Sequence, residues 1–142
     1  MENNEKKMKH LEMIEGVIER MGSNSFQLKG WAVTLVALVG ALAAQGSDKR
    51  FFLIAFIPLI SFWFLDTYYL QMERKYEVLY KIVSEKSESE IDFCMDTQSN
   101  AYDDDSAKRI CFCNCLFSKT EAPFYITIAV AVGALALVLI LT

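Results

Sequence analysis

Histidine, proline and phosphate-binding glycine loops are nearly absent from this chain, and each shortage removes a class of function. His10 is the sole histidine, and no nucleophile stands beside it in sequence. No glycine-rich loop precedes a helix in the pattern that cradles phosphate. Only two prolines, Pro58 and Pro123, interrupt the chain. Charge is missing altogether from long stretches. Of 142 residues 54% are hydrophobic, and they concentrate in Phe26–Gln45, Phe51–Gln71 and Pro123–Thr142. Each block is about 20 residues, enough to cross a hydrocarbon core about 30 Å thick. What remains is about 80 residues split between two ends, too few for a catalytic domain of ordinary size. The expected class is an all-α membrane protein with no enzymatic activity and no cofactor.

The expected organisation is an amphipathic N-terminal helix over 1–22, a first transmembrane helix over 26–45 and a second helix over 51–84. The second comprises a span and a cytoplasmic extension. An acidic, Cys-containing cytoplasmic loop over 85–122 and a third transmembrane helix over 123–142 complete it. In the N-terminal segment Leu11, Ile14, Ile18 and Met21 follow 3,4,3 spacing, and Gly22 is read as its end. That stripe suits a membrane surface or an oligomerisation contact. In the extension, Tyr69, Met72, Tyr76, Leu79 and Val83 continue a helical stripe past the membrane. Pro58 is expected to kink the second span near its middle. Ile91, Phe93 and Met95 alternate with polar residues as in a short strand.

Orientation follows from Lys and Arg counts rather than net charge, which is -4. Counting Lys29 at the boundary, twelve of the fourteen basic residues fall in the N-terminal arm and the 72–122 segment, which share a side; Lys49 and Arg50 lie opposite. The N-terminus and the long loop are therefore expected inside and the C-terminus outside. Ala41-Leu42-Ala43 imitates a signal-peptide cleavage site, but too many charged residues precede the apolar run, so an uncleaved helix is expected.

Lys29 and Asp66 are the charges that enter the spans. They lie 16 residues before Gln45 and 15 after Phe51, so an antiparallel hairpin brings them to one depth. A hairpin ion pair is expected, because an unpaired charge there is expensive. The first and third spans are rich in small residues that permit close helix packing. Thr34, Ala37, Ala41 and Ala131 are the candidate pore-lining positions, with a constriction able to close by dewetting. Cys111-Phe-Cys-Asn-Cys115, with Cys94, invites a zinc reading. Its spacing is unusual for tetrahedral zinc, so ordinary thiols and no metal site are expected. Asp103, Asp104 and Asp105 read as a solvated turn. Lys6, Lys7, Lys9, Arg74 and Lys75, with Tyr76 or Tyr80 as a stacking face, are the candidate ligand-binding residues for an oligonucleotide or for lipid headgroups.

Asn24-Ser-Phe-Gln-Leu-Lys-Gly-Trp31, Phe62-Trp-Phe-Leu-Asp66 and Tyr68-Tyr-Leu70 resemble a pattern in small bacterial membrane proteins found beside nucleotidyltransferases in anti-phage loci, most nearly the membrane effector of the Hailong defence system. The resemblance covers roughly residues 8–96. It implies a homo-oligomeric inner-membrane channel, a tetramer, held or triggered by a nucleotide or single-stranded oligonucleotide signal from the partner enzyme. The alternatives are a non-conducting anchor that recruits a cytoplasmic enzyme, and a small multidrug exporter.

Overall fold

A computed structural model describes residues 4–45, 54–97 and 103–141, and among these every regular element is helical. The helices are α1 (Glu5–Ala44), α2 (Phe56–Glu85), α3 (Asp104–Ile110), α4 (Phe112–Leu116) and α5 (Glu121–Leu141), with a 3₁₀ turn at Glu88–Glu90. Two of them, α1 and α5, are long and apolar enough to cross a membrane. Only 22% of the residues in each apolar window are buried, so most of both apolar surfaces are left uncovered by the described chain.

Gly22 does not end the N-terminal helix. The expected N-terminal helix and first span are one unbroken helix of 40 residues, about 60 Å long. A glycine inside a helix costs only about 1 kcal/mol against alanine, and α2 packs alongside, with Glu73 Oε2 4.0 Å from where a Gly22 Cβ would stand. Ser23 and Ser25 lie inside this continuous helix. They bond along the same helix to Gln27 and Lys29.

Helix α2 extends past the apolar block as expected and runs antiparallel to α1. Ile14, Leu79 and Val83 form the core at its C-terminal end, with Leu11, Ile18 and Tyr76 against them. Pro58 falls in the first turn of α2 rather than mid-helix, where its missing amide hydrogen leaves no helix bond unmade. The expected strand at 91–95 is instead a strap laid over this hairpin. Ile91 and Met95 pack on the Ile14 core, and Phe93 takes a left-handed conformation at φ 54°. Glu88 ties the strap to the start of α1, accepting from the amides of Lys6 at 2.9 Å and Lys7 at 3.3 Å. Those amides are unpaired in any helix start, and Asn4 makes no side-chain cap.

The expected loop over 85–122 also contains α3 and α4. Asp103 caps α3 by accepting from the amide of Ser106, and Asp104 and Asp105 occupy its first, anion-favouring turn rather than a bare loop. From there the chain climbs beside α2. Arg74 donates to Arg109 O, Gln71 to Ile110 O and Trp63 to Leu116 O. This path delivers Glu121 to the level of Asp66. The link at 46–53, with Lys49, Arg50, Phe51 and Phe52, lies outside the described residues.

Candidate functional site

The expected ion pair forms, and it is part of a larger cluster. Lys29 Nζ donates to Asp66 Oδ2 at 2.6 Å, to Glu121 Oε1 at 2.9 Å and to Ser25 Oγ at 2.8 Å. Tyr125 donates its hydroxyl to Asp66 Oδ2 at 2.9 Å. Ser25 and Lys29 lie one turn apart on α1, and Glu121 and Tyr125 one turn apart on α5, so each helix presents two groups on one face. Asp66, on α2, is fully buried, as is Tyr125, and Glu121 is 2% exposed. Trp63 stacks on Tyr125 with ring centroids 5.9 Å apart and covers the cluster from the α4 side.

Charge-assisted hydrogen bonds of this length are among the strongest available to a protein, and burial screens them little. The arrangement has no nucleophile, and Lys29 spends all three hydrogens on protein oxygens. It joins α1, α2 and α5 at one end.

Sequence reasoning missed Glu121 and Tyr125. A signal existed: Ser118-Lys-Thr-Glu121 has the spacing of a helix-start capping motif. Ser118 Oγ accepts from the Glu121 amide at 3.1 Å, placing Glu121 in the first turn of α5 instead of in the loop.

Above the cluster α1 and α5 stay in contact through Ala43, Val132 and the residues packed on them. Beside that contact lies an apolar groove of about 610 Å³, lined by Val33, Ala37, Gly40, Thr127, Ala131 and Leu135 among others. The Thr127 hydroxyl is turned back onto Pro123 O, so the groove presents no free donor from that residue. Two pore-lining candidates, Ala37 and Ala131, thus share this groove. Thr34 does not: it bonds to Gly30 O and lines a separate cleft with Trp31, Leu35 and Phe62. Ala41 is exposed and borders neither cavity.

The candidate ligand-binding cations fall in two places. Gly22 faces Glu73, so Lys6, Lys7 and Lys9 lie about 22 Å along α1 from Arg74 and Lys75. Arg74 is engaged by Arg109 O and, at 3.4 Å, by Cys115 Sγ. Tyr76 is half-buried against the Ile14 core. Tyr80 is exposed, but its cleft is shared with Glu15, Ile18 and Glu77, acidic company for a phosphate. One subunit therefore does not assemble these residues into a single site.

The cysteines lie on no strand. Cys94, Cys111 and Cys113 are exposed, while Cys115 is buried in α4, where burial pushes its thiol above the ordinary value and Arg74 opposes the shift. Among the described residues no group of three or more His, Cys, Asp or Glu is placed to hold a metal ion.

Comparison with protein-family models, with curated proteins and with solved structures finds no match to this chain.

Proposed function

We propose that this protein is a non-enzymatic effector channel of the bacterial inner membrane, in which α1, the apolar half of α2 and α5 all cross the bilayer. The N-terminus and the 72–122 segment face the cytoplasm, by the excess of Lys and Arg on that side, and the C-terminus lies outside. Copies associate as a homo-oligomer, a tetramer by resemblance. A nucleotide or single-stranded oligonucleotide signal from a partner nucleotidyltransferase gates it, and opening depolarises the cell in anti-phage defence.

The observation that carries this reading is the groove between α1 and α5. A single subunit leaves 610 Å³ of apolar space at membrane depth, walled in part by Ala37, Gly40 and Ala131. Small residues of this kind let another helix approach closely where lipid offers no hydrophobic drive. Neither wall carries a charge, which suits a constriction that closes by dewetting. The clustered charges instead sit at one end, where Lys29 joins the three helices.

The test is substitution of Ala37 and Ala131 in turn by leucine and by serine, with subunit number measured by cross-linking in membranes and potential by a voltage-sensitive dye. Leucine, which fills the groove, reduces the oligomer; serine, which wets it, depolarises cells. An unchanged oligomer and potential in all four variants contradicts the proposal. The anchor reading draws on the cytoplasmic cleft of Glu15, Ile18, Glu77 and Tyr80, a place for a partner protein. Tight enzyme binding without conductance would favour it.

A further inference from the structure

The Lys29 cluster contains two carboxyl groups and one cation. The three ammonium hydrogens are all used, on Ser25 Oγ, Asp66 Oδ2 and Glu121 Oε1. Asp66 Oδ2 accepts a second bond from Tyr125. The remaining oxygen of each carboxyl, Asp66 Oδ1 and Glu121 Oε2, is buried without a hydrogen-bond partner. An ionised carboxyl oxygen can only accept, so neither of these can satisfy the other while both groups are charged. Because both carboxyls bond to the same nitrogen, they are close neighbours.

Surrounding charges do not correct the imbalance. Helix α1 contributes one charged group to the cluster, Lys29, beside the neutral hydroxyl of Ser25. From α2 the next charges are Glu73, which adds to the negative side, and Arg74, which is occupied by Arg109 O and Cys115 Sγ. From α4 the nearest titratable group is the Cys115 thiol, and from α5 the phenol of Tyr125, whose hydrogen is already given to Asp66.

We infer that Asp66 and Glu121 together bind one proton, carried as an O–H on one carboxyl and donated to the free oxygen of the other. The proton comes from solvent, and no other bond forms or breaks. With it, one ammonium faces one carboxylate and one neutral acid, so the cluster has no net charge. Both orphaned oxygens gain a partner, one as donor and one as acceptor. Removal of the proton sets Glu121 of α5 against Asp66 of α2, at the end where α5 is tied to the other helices.

The test uses the full chain in phosphatidylcholine–phosphatidylglycerol vesicles, examined by infrared spectroscopy at neutral pH. The expected result is the carbonyl stretch of a protonated carboxylic acid, slow to shift in D₂O. It is lost in Asp66→Asn and in Glu121→Gln, since either leaves Lys29 with a single carboxylate, and retained in Glu73→Gln. Should the two cluster variants fail to insert, the Glu73→Gln spectrum decides, because Asp66 and Glu121 are the buried carboxyl residues among those described. Absence of the acid band from wild type, or its persistence in both cluster variants, overturns the inference. The outcome does not depend on whether the oligomer conducts.

Discussion

Tyr125 and Lys29 meet on a single oxygen of Asp66, at 2.9 Å and 2.6 Å. Three helices far apart in sequence thereby converge on one atom of α2. Beyond that point α1 and α5 meet again through Ala43, Ala55 and Val132, and an apolar groove opens beside that contact.

Removal of the ammonium leaves a buried carboxylate without its counter-charge. Lys29→Met should therefore destabilise the folded bundle by about 3–5 kcal/mol. Tyr125→Phe deletes one bond to a charged acceptor and should cost about 1.5–3 kcal/mol. Thermal or denaturant unfolding in detergent, followed by circular dichroism, checks both. Equal stability of Lys29→Met and wild type would show that the cluster does not hold the helices.

The Lys29–Asp66 contact was legible because two charges in apolar blocks, counted from a short link, share a depth. The extension of α2 was legible from the stripe Tyr76, Leu79 and Val83, a 3,4 spacing that lipid does not require. Gly22 was misleading: a glycine stops a helix when the chain needs a left-handed turn, and here a neighbouring helix continues the packing instead. Glu121 was hidden by a boundary drawn at Pro123. The strap at 88–95 was illegible for a different reason. Its order comes from tertiary bonds, Glu88 to the α1 amides and Cys94 O to His10 at 3.2 Å, which no local period encodes.

Glu73, on α2 just past the apolar block, reaches toward Gly22 of α1. Burial, followed by the like charge of Glu77, raises its carboxyl above the ordinary value, with Arg74 opposing. A raised acid supports the fold fully below its unfolded value, and that support is lost as pH rises through the folded one. Glu73→Gln should accordingly raise the melting temperature at pH 7–8 and leave it unchanged near pH 4. A melting curve shifted equally at both pH values would contradict this.

The four cysteines should divide three to one. Cys94, Cys111 and Cys113 are exposed, whereas Cys115 is buried with a raised thiol, and the thiolate is the reactive form. In single-cysteine variants at pH 7.5, maleimide should label the first three quickly and the fourth only after denaturation. Rapid labelling of Cys115 in the folded protein would mean that α4 does not rest against α2.

Oligonucleotide binding, if carried by the basic N-terminal arm, should weaken steeply with salt, because phosphate contacts release counterions. A Lys6/Lys7/Lys9→Gln variant should bind labelled single-stranded oligonucleotides more weakly and with a smaller salt slope. Identical, salt-insensitive titrations for the two proteins would remove the arm from signal recognition.

Conductance of the purified full chain in planar bilayers, with and without short oligonucleotides, is the most direct measurement of the central proposal. Discrete current steps are predicted, altered by the oligonucleotide and increased in open time by Ala131→Ser. A silent bilayer in every condition, from protein whose oligomer is intact by cross-linking, would contradict the channel account.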